Sequence, residues 1–185
     1  MLNGSVTKKL HRKALKKNDE APLFTLSNIN DECVQLETLL SKGKSILVFS
    51  GSTWYRYSYF GLLAWQGVFE QSDNQDTKIL AIYPDKPDSA AIAKWRVDHS
   101  IEILYDVGNN VAKQFGLVVK VSPDKAKKLP KTIVIDSISL TSEQETEVTI
   151  PAIYVVNKDR TILHVSFDIE GDNCGNVKKI LDRLT

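Results

Sequence analysis

Ser45-Ile46-Leu47-Val48-Phe49-Ser50-Gly51-Ser52-Thr53-Trp54-Tyr55-Arg56-Tyr57-Ser58-Tyr59-Phe60 is the stretch that decides the fold. Within it Ile46 to Phe49 form a continuous apolar run between two serines, the pattern of a strand buried on both faces. An aromatic and apolar continuation through Trp65 and Phe69 predicts a helix over about 55–72. The turn between them carries Trp54 and delivers Tyr55 and Arg56 to a helix N-terminus, where unpaired N–H groups and the positive end of the dipole favour anions. A cysteine there would be a nucleophilic thiolate. The phenol of Tyr55 and the hydroxyl of Ser58 are far less acidic, and neither cycles through a sulfenic acid or a disulfide.

Working outward, Ala21 to Leu26 alternates like a short strand, Asn28 to Asp31 supplies turn chemistry, and Cys33 to Leu36 reads as the returning strand. Glu37 to Lys42 suits one or two helical turns closed by Gly43. Lys78 to Tyr83 is a second buried strand, followed by a helix over 88–98 that Asp88 and Ser89 are placed to cap. A strand Ile101 to Tyr105 precedes a helical Val111 to Phe115 that ends at Gly116. This β-α-β-α-β order implies parallel strands covered by helices. Residues 117–150 are the least regular part, where five lysines give way to Glu143, Glu145 and Glu147, and a solvated loop is expected. Ala152 to Val156 and Thr161 to Phe167 form a predicted hairpin, and Val177 to Leu184 a closing helix.

The 185 residues are expected to make an N-terminal basic helix or extension over 1–20 and one domain over 21–185. The formal net charge of +1 conceals +6 in residues 1–18, which contain no acid. A basic helix can bind nucleic acid or an anionic membrane surface, but this one has a thin apolar face and no aromatic residue. No run of eighteen apolar residues suggests a membrane span, and no apolar core follows the N-terminal charges as in a secretory signal. A cytoplasmic location is the expectation. No metal-ligand spacing and no Gly-rich phosphate loop is present, so no metal and no cofactor are expected. His11, His99 and His164 lie far from Ser58 in sequence, which argues against a serine-hydrolase triad.

Several segments in correct order resemble the alkyl hydroperoxide reductase/thiol-specific antioxidant family of the thioredoxin-like superfamily. Ala21-Pro22-Leu23-Phe24-Thr25-Leu26 is similar to the family's A-P-x-F-x-L opening, and Val34-Gln35-Leu36 with Leu39-Leu40 to its V-x-L-x-x-L-L. Leu47-Val48-Phe49 and Trp54 resemble the strand and turn before the active cysteine. Asp106 to Ala112 with Phe115-Gly116-Leu117 resembles D-x-x-x-x-x-A-x-x-F-G-L, and Pro151 to Asp159 resembles P-A-T-Y-V-I-D-x-D-G.

The resemblance implies an α/β thioredoxin-like fold, a central mixed sheet flanked by helices, with an N-terminal helix and hairpin extension. It implies a W-C-x-x-C-type site over Trp54-Tyr55-Arg56-Tyr57-Ser58, with Tyr55 and Ser58 in the cysteine positions. Pro151, typically cis in such folds, would abut that site, and Ser52 stands where many peroxiredoxins place Thr or Ser. The arginine that peroxiredoxins carry near the start of the Pro151 strand is replaced by Pro-Ala.

Ser52, Trp54, Tyr55, Arg56, Tyr57 and Pro151 are therefore the candidate binding residues of a redox-inactive member with a binding or regulatory role. A small anionic ligand or a protein is the expected partner there, a homodimer is a further possibility, and no DNA is expected. Two alternatives stand beside this reading: a working thiol-dependent antioxidant peroxidase using Cys174 or Cys33, and a nucleic-acid or membrane-surface adaptor acting through the basic N-terminus. Cys33 is expected to be a small buried hydrophobe in the hairpin. Cys174 precedes the last helix, but Asp168, Glu170 and Asp172 surround it and oppose thiolate formation.

Overall fold

The computed structural model describes residues 13–51, 77–86, 101–122 and 146–167. The helices expected at 55–72, 88–98 and 177–184, and the N-terminal helix up to residue 12, lie outside the described residues.

The strands are β1 (Thr25–Asn28), β2 (Cys33–Gln35), β3 (Ser45–Phe49), β4 (Lys78–Tyr83), β5 (Ile101–Tyr105), β6 (Val118–Val121), β7 (Thr146–Thr149), β8 (Ala152–Val156) and β9 (Ile162–Phe167). Two helices are described, α1 (Leu36–Lys42) and α2 (Asn110–Gln114). Seven strands form one mixed sheet in the order β2-β1-β5-β4-β3-β8-β9, and β6 and β7 form a separate pair. β3, β4 and β5 run parallel, as the β-α-β-α-β reading requires. β8 returns antiparallel to β3, with Phe49 opposite Ala152, and β9 is antiparallel to β8. This is the thioredoxin-like arrangement, with β3 in the sheet interior.

Alternation along the central strands feeds two cores. Leu47, Phe49, Leu80, Ile82, Leu104, Ala152 and Tyr154 point to one face, while Ile46, Ile79, Ala81, Ile103, Ile153 and Val155 point to the other. Strands buried on both faces are largely apolar along their length, which is why Ile46 to Phe49 and Ile79 to Tyr83 read as continuous runs in sequence. The first core is centred on three rings. Phe49 and Phe115 have centroids 5.0 Å apart, Phe115 and Tyr154 5.0 Å, and Phe49 and Tyr154 6.1 Å, in tilted and edge-on geometries that suit the ring quadrupoles.

Three expectations are corrected. The opening strand begins at Thr25, because the Ala21 N–H donates instead to the Arg160 carbonyl across the β8–β9 turn (2.8 Å). Residues 118–121 and 146–149 are paired strands, with Lys120 opposite Glu147, where a solvated loop was expected. Gly43 closes α1 as expected, with φ −161°, extended backbone open to any residue. Cys33 is exposed rather than buried, since β2 is the edge of the sheet.

Candidate functional site

The site begins where β3 ends. The Ser50 N–H donates to the Ile82 carbonyl at 2.9 Å, carrying the β3–β4 ladder one residue further, and Gly51 behind it is buried. One step beyond the last β3–β8 pair, Pro151 lies opposite Ser50, half-buried at the start of β8. The chain therefore enters the Ser52–Ser58 stretch directly beside Pro151. No peptide bond among the described residues is cis, so the Ile150–Pro151 bond is trans, contrary to the expectation.

Pro151 is held from behind by a connected set of polar contacts. The Ile150 N–H donates to the Leu117 carbonyl (2.9 Å), and the Thr149 hydroxyl to Asn109 Oδ1 (2.7 Å). Asn109 sits at φ 57°, in the left-handed region that Asn tolerates better than most residues, just before α2. Asp106, almost fully buried, accepts the Val111 and Ala112 N–H groups at 2.9 and 2.8 Å, satisfying two of the unpaired donors of α2. Its own N–H reaches the Tyr83 carbonyl (2.7 Å), tying this loop to the end of β4. Sequence reading singled out neither Asp106 nor Asn109 as a positioning residue. The acid before a short apolar helix was a visible capping signal, but the reach to Thr149 was not.

At the end of β4, burial pushes the Tyr83 phenol well above its ordinary pKa, and the Ser50 side chain works against that rise. Tyr83 is thus a neutral hydroxyl at physiological pH, next to the segment that leaves β3.

Of the sequence-derived candidates, Pro151 and Cys33 are described. Ser52, Trp54, Tyr55, Arg56, Tyr57, Ser58 and Cys174 lie outside the described residues. Cys33 stands on β2, four strand positions from β3, which at the usual spacing is about 19 Å across the sheet.

A cleft of about 540 Å³ opens at the carboxyl ends of β4 and β5, lined among others by Phe24, Thr25, Lys86, Tyr105, Val107 and Val111. At its mouth the Lys86 ammonium pairs with Asp31 at 2.6 Å and lies 5.9 Å from the centroid of the Tyr105 ring. No group of three His, Cys, Asp or Glu side chains able to hold a metal ion occurs among the described residues. No helix among them is long and apolar enough to cross a membrane.

A family model described as the AhpC/TSA family matches residues 18–165. Comparison with curated proteins finds no match. Among solved structures, the chain is similar to peroxidoxin BcpB from Mycobacterium tuberculosis, with 18% identity, 92% of this chain and 96% of that one covered, and a TM-score of 0.66. A yeast mitochondrial 1-Cys peroxiredoxin matches with 16% identity, 92% and 76% coverage, and a TM-score of 0.63. A putative thiol:disulfide interchange protein DsbE from Chlorobium tepidum matches with 14% identity, 93% and 100% coverage, and a TM-score of 0.61. At these identities the likeness to solved structures carries the fold alone.

Proposed function

The chain belongs to the AhpC/TSA family, and from that premise we propose that it is a redox-silent member, whose old thiol site serves as a binding surface for a carboxylate or other small anion. The observation that carries this reading is the placement of sulfur. No cysteine occurs between Gly51 and Thr77, the stretch that follows β3, and Cys33 is on β2, an edge strand four positions away. A thiol roughly 19 Å from the end of β3 is out of bonding reach of a peroxide held there.

What remains at the end of β3 suits recognition. Arg56 brings a planar cation with several donors, and Tyr55 and Tyr57 bring phenols, in the sequence that enters the expected helix. Pro151 supplies a rigid neighbour. The neutral Tyr83 hydroxyl adds no competing charge. The proposed role is binding or regulatory, with the cytoplasm as the proposed location.

Family membership favours a second reading, a working thiol peroxidase that uses Cys174. One experiment separates the two. Hydrogen peroxide consumption with a dithiol reductant should stay at the uncatalysed rate, and Cys174→Ser should leave it unchanged. Turnover that disappears in Cys174→Ser would establish the peroxidase instead. Binding is read separately, by tryptophan and tyrosine fluorescence during titration with a carboxylate-terminated peptide. The wild-type signal should move, and Arg56→Ala should abolish the change.

A further inference from the structure

The cleft at the carboxyl ends of β4 and β5 carries an unused backbone edge. The Leu36 N–H donates to the Phe24 carbonyl and the Asn28 N–H to the Glu32 carbonyl, so the even-numbered residues of this segment bond toward β2. By strand alternation, Thr25 and Ser27 turn their N–H and C=O groups toward β5. Ser27 meets Tyr105 there, but the β1–β5 ladder covers only Ser27–Tyr105 and Asn28–Leu104. Thr25 runs past the end of β5, because the chain leaves the sheet at Asp106 to enter α2. Thr25 is exposed and lines the cleft, and its N–H and C=O have no strand partner on that side.

A second observation is independent of the first. Tyr105 also lines the cleft, is 5% exposed, and its hydroxyl has no hydrogen-bond partner. That hydroxyl is itself closed off from solvent, so Tyr105 borders the cleft as a wall rather than as a hydrogen-bond partner for an occupant. Lys86 and Asp31 lie beside it as an exposed ion pair, of the kind that contributes little and opens readily.

We propose that this cleft binds an uncharged, extended peptide segment, which lies beside Thr25 in the line that β5 vacates and pairs with its N–H and C=O. The chemistry selects this occupant. A backbone donor and acceptor on one strand edge match an extended peptide, the recurrent mode of strand addition. Phe24, Leu26, Val107 and Val111 offer apolar contact for its side chains, and Val107 is 68% exposed without one. Charge selects against the alternatives: Lys86 is matched by Asp31, and Asp106 is spent on the α2 N–H groups. The site is distinct from Pro151 and does not depend on what the Ser52–Ser58 stretch binds.

The test uses the ¹⁵N-labelled full chain and the capped tetrapeptide acetyl-Val-Thr-Val-Thr-amide. Saturable amide shifts are expected at Thr25, Tyr105 and Val107 in the millimolar range. Thr25→Pro removes an N–H that makes no bond to β2, a position where proline is tolerated on a strand. It should keep the wild-type circular dichroism and weaken binding about tenfold or more, the loss of one backbone hydrogen bond or slightly over. If Thr25→Pro does not fold, Val107→Asp at the exposed rim decides, and the same weakening is expected. The proposal is overturned if the peptide produces no shifts, if folded variants bind as wild type does, or if sodium acetate or methylammonium produces the same shifts in place of the peptide.

Discussion

Gly116 lies so close to Lys13 that a Cβ built on it would stand 2.0 Å from the Lys13 carbonyl oxygen. The approach joins the end of α2 to the segment that enters the domain from the basic N-terminus, where the Leu15 N–H also donates to the Phe115 carbonyl (3.1 Å). Gly116 adopts φ +70° and its N–H closes the helix on the Lys113 carbonyl at 3.0 Å, so it ends α2 and admits the crossing chain at once.

Gly116→Ala should therefore destabilise the protein by about 3 kcal/mol, from left-handed strain together with a clash against backbone that has little room to retreat. Gly108 provides the control. It has φ +83°, but a Cβ there meets only Asn110 Nδ2, at 3.5 Å. Gly108→Ala should cost strain alone, about 1 kcal/mol. Urea unfolding of the two variants measures the difference, and equal losses would mean that Lys13 moves aside freely.

Arg160 occupies φ 71° in the turn between β8 and β9, an uncommon conformation for a long side chain. Its guanidinium compensates: Nε and Nη2 donate to the Ala21 carbonyl at 3.1 and 3.0 Å, and Nη1 pairs with Glu20 at 2.7 Å. Arg160→Ala loses these contacts and keeps the strain, and should cost about 2 kcal/mol. Arg160→Gly loses the same contacts but relieves the strain, and should be less destabilised by about 1 kcal/mol. Thermal melts that rank alanine at or above glycine would show that the backbone is not strained there.

The parts of the fold legible in sequence were those where burial on both faces leaves an unbroken apolar run. Ile46 to Phe49, Ile79 to Tyr83 and Ala152 to Val156 are such runs, and each lies in an interior strand of the sheet. β6 and β7 escaped because Lys120 and Glu147 sit opposite each other across the pair, and charges in short strands read as loop. The exposure of Cys33 was hidden for a related reason: a three-residue strand does not reveal whether it lies at an edge. The neighbourhood of Pro151 was legible from order alone, since a strand returning beside β3 must start at its carboxyl end. The support behind Pro151 was not, because Asn109 and Thr149 are forty residues apart and meet only through the fold.

Asp106 tests that support. Its carboxylate holds two N–H groups of a helix only five residues long, too short to persist without capping. Asp106→Ala should lower stability by about 2 kcal/mol. The amide signals of Val111, Ala112 and Asn109 should then lose protection from hydrogen exchange ahead of the central strands. Uniform loss across the sheet would show that α2 and the core open together, and that Asp106 has no local role.

Tyr154 makes stability depend on alkaline pH. It is fully buried in the ring cluster, its hydroxyl donates to the Leu15 carbonyl at 3.2 Å, and burial, with a smaller contribution from Asp19, raises its pKa well above the usual 10. The unfolded chain ionises this phenol near pH 10, whereas the folded chain keeps it protonated. The folded state then holds more protons, so stability is unaffected below about pH 10 and falls as pH rises beyond it. Tyr83 adds a parallel loss of the same sign. Tyr154→Phe should lower stability at pH 7 by about 1 kcal/mol, the net worth of the hydroxyl's bond. It should also flatten the decline above pH 10, so that the two stability curves converge as pH rises. Urea midpoints measured from pH 7 to 11 provide the check, and curves that stay parallel across that range would show that Tyr154 ionises without regard to folding.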